Sequence, residues 1–398
     1  MPIPIVSRLK HPAGRRVLMR VDFNVPLDGG RIADDERIKA AVTTIERLAA
    51  HGAKVILVSH LGQPDGWDRK FTLAPVAVRL SEILRRPVRF VSARLDDDEK
   101  VARALEDMDD GDIALLENIR FYKGEEKNDV FLSRRLAALA DAYVNDAFGA
   151  AHRAHASTAG VAALLPSFAG YLMERELRNL GRVLEKPKSP FIALIGGAKV
   201  STKLPAIEKL LTLADKMLLG GGLANNFLKA KGYEVGKSLV GPAEVKLAKR
   251  LLGKRGLVLP VDVVAATALS EKTELRVCAA SDVRRHEYIV DIGPTTVRAY
   301  AAELKKAKMI VWNGPVGLYE ITRFRHGSVA LGRVIAARSL GRAYGVVGGG
   351  ETIACLQLTG MAEYVDHVST GGGAMLEFLS GKKLPAVAAL EKAKLTHR

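Results

Sequence analysis

Apolar residues along this chain come in two rhythms. Short unbroken runs, such as Val17-Leu18-Met19 and Val55-Ile56-Leu57-Val58, alternate with longer stretches whose apolar positions recur every three or four residues. The first rhythm marks strands buried on both faces, and the second marks helices with one apolar stripe. Before Pro190 the pattern predicts strands at 17–21, 55–58 and 113–116, and helices at 38–48, 76–84 and 131–139. Beyond it, strands are predicted at 191–195, 217–219, 257–261, 309–312, 345–347 and 364–368. Such alternation means βα units and mostly parallel sheets, so the fold class is α/β with two doubly wound domains. Residues 171–184 read as one helix, stopped by Glu185-Lys186-Pro187-Lys188-Ser189-Pro190 because proline disfavours helix in the residue before it. The first domain is therefore 1–170, the connecting helix 171–190, and the second domain starts at 191.

In doubly wound sheets ligands sit at the carboxyl ends of the strands. Polar residues gather after the predicted strand ends of the first half: Asp22, Asn24, His60, Arg120 and Arg153, with Arg37 opening the first helix. Each arginine alone reads as a surface residue. Together on one edge they suit a small, heavily charged anion, because arginine grips carboxylate and phosphate through paired hydrogen bonds. The second half offers glycine turns instead, at Gly196-Gly197, Gly220-Gly221-Gly222, Gly348-Gly349-Gly350 and Gly371-Gly372-Gly373. A strand, a glycine turn and a helix start leave backbone N–H groups free for an anion. Glu351, after the third turn, reads either as a helix-start acid or as a ligand for a divalent cation bridging to phosphate. Lys199 and Lys203 stand one helical turn apart and in reach of successive phosphates, or else are plain exposed helix lysines. Trp312-Asn313-Gly314-Pro315 and Glu320 suit a ribose. One half thus holds a phosphorylated acid and the other a nucleotide, and the implied reaction is phosphoryl transfer.

Composition narrows this picture. Lysine and arginine exceed acids by 60 to 44. Up to Pro190 the counts are 30 and 27, so the remainder carries 30 against 17 and nearly all of the excess. A field of that sign attracts phosphorylated metabolites or nucleic acid. A nucleic-acid binder would mix basic residues with exposed aromatics or carry a recognition motif, whereas aromatics are 6% of the chain. Two cysteines, no apolar run of membrane length and an apolar start too short for a signal peptide predict a cytoplasmic protein without disulfides.

The ordered stretches Arg20-Val21-Asp22-Phe23-Asn24-Val25-Pro26, Ser59-His60-Leu61-Gly62, Leu116-Glu117-Asn118-Ile119-Arg120-Phe121 and Ala151-His152-Arg153-Ala154-His155 resemble the phosphoglycerate kinase family. So do Gly196-Gly197-Ala198-Lys199-Val200, Val311-Trp312-Asn313-Gly314-Pro315-Val316-Gly317 and the glycine runs ending at Gly350 and Gly373. The resemblance implies two Rossmann-like domains. Residues 191–375 would bind nucleotide, and a tail, 376–398, would pack back on the first domain. It implies a monomer interconverting 1,3-bisphosphoglycerate plus ADP with 3-phosphoglycerate plus ATP in glycolysis, using Mg2+. By resemblance Asp22, Asn24, Arg37, His60, Gly62, Gln63, Arg120 and Arg153 would hold 3-phosphoglycerate. Lys203, Gly221, Gly222, Gly293, Asn313, Glu320, Gly348, Gly349, Gly350 and Glu351 would hold the nucleotide, with Glu351 on the metal. Arg37, Lys199 and the amides near Gly372 would neutralise the group in transfer. Two positions depart from the family's usual pattern. Gln63 replaces an arginine, which removes a cation, and Glu351 replaces an aspartate, which keeps the carboxylate one methylene further out. An inactive relative kept as a binding module is the third reading, against which Arg37, Lys199 and Lys203 stand intact.

Overall fold

The computed structural model describes residues 3–393. The chain forms two compact units, one comprising residues up to Arg178 together with those from Lys383 on, the other Asn179–Lys382.

In the first unit the strands are β1 (Arg16–Arg20), the short hairpin β2 (Leu27–Asp28) and β3 (Arg31–Ile32), then β4 (Lys54–Val58), β5 (Arg89–Val91), β6 (Ile113–Leu116), β7 (Ala142–Asn145) and β8 (Ser167–Ala169). Between them run α1 (Glu36–Ala50), α2 (Ala74–Leu84), α3 (Asp98–Glu106) and α4 (Val130–Ala138). Six strands form one parallel sheet in the order β5-β6-β4-β1-β7-β8. Side chains alternate across it. Val17, Met19, Val55 and Leu57 pack with Ile38, Ile45 and Leu80 of α1 and α2. Leu18, Ile56 and Tyr143 pack on the opposite face with Val101, Leu105 and Leu136 of α3 and α4. Burial on both faces is why these strands carry no polar alternation.

The helix α5 (Tyr171–Glu185) ends ahead of the two prolines as its sequence predicts, and the division between the units, at Arg178/Asn179, falls within it. The second unit holds β9 (Phe191–Ile195), β10 (Lys216–Leu219), β11 (Leu257–Val258), β12 (Asp262–Ala266), β13 (Leu275–Ala279), β14 (Tyr288–Ile292), β15 (Met309–Asn313), β16 (Tyr344–Gly348) and β17 (His367–Ser369). Its helices are α6 (Leu204–Leu211), α7 (Gly221–Ala230), α8 (Pro242–Leu251), α9 (Pro294–Lys306), α10 (His326–Ser339), α11 (Gly350–Gln357) and α12 (Gly373–Leu379). The parallel sheet runs β11-β10-β9-β15-β16-β17. Numbered along the chain, that order is 3-2-1-4-5-6, the doubly wound arrangement of dinucleotide-binding folds.

In the first unit β2, β3, β5, β7 and β8 are strands that the sequence reading did not name, and in the second unit three details differ from it. The run 257–261 is not one strand, because Pro260 ends β11 and the chain re-enters as β12. β12 belongs to a separate antiparallel sheet, β13-β12-β14, which the sequence did not announce. Near 364 the chain makes a 3-10 turn, Ala362–Tyr364, and the strand comes only at His367–Ser369. After α12 the chain joins the first unit through α13 (Pro385–Lys392), where the N–H of Ala386 donates to the carbonyl of Ala151 at 3.1 Å. The end of the expected tail, 394–398, lies outside the described residues.

Candidate active site

Strand order locates a crevice in each unit. In the first unit the order reverses between β1 and β7, and in the second between β9 and β15. Chains leaving two such neighbours part in opposite directions and leave an opening at the carboxyl edge.

At the first opening β1 ends in Arg20, which is fully buried. Its Nε donates to Ser157 Oγ at 2.8 Å, Nη1 to the carbonyl of Val21, and Nη2 approaches His60 Nδ1 at 3.1 Å. Guanidinium has only donors, so Nδ1 of His60 accepts and the ring carries its proton on Nε2. Asp22 Oδ1, 3.9 Å from the same Nδ1, therefore makes no ion pair with a neutral ring. Its Oδ2 takes Nη1 of Arg37, the second residue of α1, at 2.9 Å. Burial by itself would raise the Asp22 carboxyl, but Arg37 and Arg20 outweigh it and hold the group below its ordinary value. Asn24 Oδ1 accepts the N–H of Gly62 at 2.9 Å, which ties the β1 loop to the β4 loop.

Arg120, Arg153 and Gln63 line one cleft of about 600 Å³. Arg120 is buried, pairs through Nη1 with Glu126 at 3.0 Å, and leaves Nε buried without a partner. Burial and the like charges of Arg20 and Arg153 push its proton affinity down. Crowded cations with an unmet buried donor are an arrangement that an anion relieves.

His60 is pushed down to about 3, first by burial and then by Arg20 and Arg120, against the pull of Asp22. A histidine with depressed proton affinity binds fewer protons folded than unfolded between pH ~3 and ~6.5, so stability is lost as pH falls through that window. His60→Gln, which keeps an acceptor for Arg20 but cannot titrate, should flatten this loss, worth at most about 1.4 kcal/mol per pH unit. Urea denaturation from pH 7 to 4.5 checks it; equal slopes in both proteins would show that His60 is not the group responsible.

At the second opening the chain leaves β9 at Gly196 and β15 at Asn313. Gly314 sits at φ +94, and a Cβ there would collide with the Gly196 carbonyl, so only glycine lets the two strand ends approach so closely. Lys203 fastens them. Its Nζ donates to Gly196 O at 2.8 Å, Asn313 Oδ1 at 2.7 Å and Asn313 O at 3.3 Å, so its three hydrogens are engaged. Burial lowers it to about 8, opposed by the charge of Glu351. The spacing of Lys199 and Lys203 by one helical turn is not observed: residues 197–203 form turns, α6 begins at Leu204, and Lys199 is exposed while Lys203 points inward. Asn313 Nδ2 continues the link to the carbonyl of Gly348 at 2.7 Å. Gly349, at φ +98, caps α11 without any side-chain bond, and Glu351 lies exposed in the first turn.

A cleft of about 420 Å³ opens here, with Gly197, Gly221, Gly222, Glu320 and Glu351 and the apolar Leu239, Leu269 and Leu318 among its lining residues. Of the residues expected for a nucleotide, Gly221, Gly222, Glu320 and Glu351 line it. Lys203, Asn313 and Gly348 form the strand-end network and Gly349 and Gly350 open α11; none of the five is among its lining residues. Gly293 does not line it either; it caps α9, where the Asp262 carboxylate packs against it and accepts from the N–H groups of Thr295 and Thr296. Gly372 caps α12 at φ +51. Sequence reasoning gave no role to Arg20 or to Asp291. Asp291 lies under the second cleft and accepts from the N–H groups of Gly327 and Ile292 at 2.7 and 2.9 Å. Both are lone charges within apolar strand runs, and that is the signal that marks them. Burial pushes the Asp291 carboxyl up to about 7.

Known proteins carry the same pattern. The phosphoglycerate kinase family matches residues 8–382. The phosphoglycerate kinase of Pelotomaculum thermopropionicum is 50% identical over 383 residues, covering 95% of this chain and 96% of its own, and that of Thermomicrobium roseum is 50% identical over 94% and 96%. The structure of phosphoglycerate kinase from Coxiella burnetii superposes with a TM-score of 0.85 at 42% identity, over 99% of this chain and 100% of that one. The enzyme from Pyrococcus horikoshii gives 0.86 at 34% identity, over 98% of each chain. With two doubly wound units, an arginine-rich opening in one and a glycine-walled cleft in the other, this chain belongs to the phosphoglycerate kinase family, the glycolytic enzymes that transfer phosphate between 1,3-bisphosphoglycerate and ADP.

Proposed function

We propose that the first unit holds 3-phosphoglycerate at the β1/β7 opening and the second holds ADP or ATP at the β9/β15 opening. One observation carries the acid site: Arg120 keeps a buried, unpartnered Nε amid the like charges of Arg20 and Arg153. Arg37, Asn24, Gly62, Gln63 and Arg153 complete the hold on the acid, with His60 as a neutral Nε2–H donor and Asp22 orienting Arg37. In the second unit Gly221 and Gly222 face the base, and Glu320 the ribose. Lys203, Asn313 and the turn from Gly348 to Gly350 shape the strand ends by the phosphates, and Gly293, at the start of α9, contributes to the nucleotide hold from the end of β14. Arg37, Lys199 and the amides near Gly372 then neutralise the phosphoryl group in transfer, since such reactions need positioning and charge more than covalent help from the protein.

Magnesium fits the second cleft. Carboxylate oxygen from Glu351 is a suitable hard ligand, and among the described residues no three His, Cys, Asp or Glu side chains gather as a ready-made metal cluster, here included, so phosphate and water would supply the remaining ligands. Bound there, the ion would offset charge on the phosphate oxygens. The substrates are small molecules, the working form is a monomer acting without nucleic acid, and the compartment is the cytoplasm. For the compartment, the support is that Cys278 and Cys355 are buried free thiols, which suits reducing conditions. Among the described residues no helix is long and apolar enough to cross a membrane.

Glu351→Gln tests the metal role. As a helix-start acid Glu351 makes no capping hydrogen bond, so its loss there removes at most about 0.5–1 kcal/mol through the helix dipole. As a magnesium ligand its loss should collapse kcat at limiting magnesium with little change in Tm, and Glu351→Asp should restore activity at a shifted magnesium optimum. Normal activity of the glutamine protein at limiting magnesium would exclude Glu351 as the ligand.

A further inference from the structure

Residues 62–71 form a loop whose ends and middle are fastened by different means. The Asn118 carboxamide closes the ends. Its Nδ2 donates to the carbonyls of Leu61 and Phe71 at 2.8 and 2.9 Å, and its Oδ1 accepts the N–H groups of Leu61 and Arg120 at 3.1 and 3.0 Å. The loop ends and the turn bearing Arg120 therefore meet at one side chain. From the loop, Gln63, Pro64, Asp65 and Gly66 line the first cleft together with Arg120 and Arg153.

Trp67 comes next in the chain, and it holds the middle. Its ring packs on that of Phe121, the neighbour of Arg120, with centroids 4.7 Å apart and planes tilted by 41°. The Arg94 guanidinium lies over the Trp67 ring at 5.4 Å and is itself held by Asp96 through bonds of 2.9 and 2.8 Å. Together these ring and cation contacts outweigh the exposed ion pair of Asp65 with Lys123, 3.7 Å apart, which water screens. Gln63 is neutral. A charge attracts an anion from several ångströms away, whereas a carboxamide contributes only at hydrogen-bond distance and at a good angle. What Gln63 gives the cleft therefore depends on how firmly its loop is placed.

We infer that Trp67 is a positioning residue of the acid site that acts through Gln63: its ring, held by Phe121 and Arg94, sets the loop so that the carboxamide meets the anion without first having to be ordered. The inference rests on the reading of the first cleft as the 3-phosphoglycerate site. Trp67→Ala should raise KM and Kd for 3-phosphoglycerate roughly tenfold, the cost of ordering loop and side chain on binding, with kcat within about twofold and KM for ATP unchanged. Trp67→Phe, which keeps a ring on Phe121, should restore most of the affinity. Gln63→Ala should cost a similar amount, and the double variant Gln63→Ala/Trp67→Ala no more than either alone, because the two act through one contact. Additive losses, or wild-type affinity in Trp67→Ala, would overturn the role. A second measurement needs no variant. Trp312 is fully buried and Trp67 is 42% exposed, so Trp67 is the tryptophan open to acrylamide. Its quenching should run well below that of free N-acetyltryptophanamide before 3-phosphoglycerate is added and change little afterwards. Quenching at the free rate would show an undocked ring and overturn the role as well. Failure of the wild type to bind 3-phosphoglycerate at all would overturn the reading of the cleft and this role with it.

Discussion

Arg37→Ala is expected to lower kcat roughly 10²–10³-fold, the loss typical of removing one donor that meets charge developing in a transition state. Arg37 sits in the first turn of α1 with its side chain 38% exposed and only one nitrogen committed, to Asp22. The other donors of the fork face outward, and the carboxylate behind fixes their direction. If they meet the group in transfer, kcat and kcat/KM should fall together while 3-phosphoglycerate binding is little weakened. If Arg37 only holds the acid, KM should rise at nearly constant kcat. Asp22→Asn should move kcat in the same direction by less, since it loosens Arg37 without removing it. Steady-state kinetics on the three proteins reads both outcomes.

Lys203→Met is the second large effect, and it should appear first in stability. The ammonium joins the carbonyl ends of β9 and β15 through Gly196 O, Asn313 Oδ1 and Asn313 O. Methionine fills the space of the stem but leaves those acceptors unmet. Two short bonds to a charged donor are together worth about 3–5 kcal/mol. For a unit of about 200 residues this corresponds to a fall in Tm of roughly 6–20 °C. Nucleotide affinity should drop as well, because Gly196 and Asn313 lose the cation that draws the strand ends together. An unchanged Tm with weakened ATP binding would instead make Lys203 a phosphate ligand that leaves its carbonyls when nucleotide arrives.

The two sheets were legible because buried parallel strands must be apolar throughout, so 17–19, 55–58, 191–195 and 309–312 stand out against the helical stripes between them. The antiparallel sheet was not, because the apolar run 257–261 continues across Pro260 and hides a change of sheet. Strand order was not legible either, since pairing is set between elements far apart in sequence. Strand-end polar residues could be found from the alternation alone, and the structure brings Asp22, Arg37 and His60 together. The direction of Lys203 could not. It depends on a left-handed Gly314 a hundred residues away, which leaves room for the ammonium between two strand ends. Arg20 and Asp291 were visible as charges within apolar runs, but only their partners reveal what they hold.

The most direct test of the account is a coupled assay of ATP consumption by the purified chain with 3-phosphoglycerate and magnesium. Turnover that requires all three, saturates in each substrate and is lost in Arg37→Ala while its 3-phosphoglycerate binding persists is the predicted result. A correctly folded wild-type protein that binds ATP and 3-phosphoglycerate yet transfers no phosphate would contradict it.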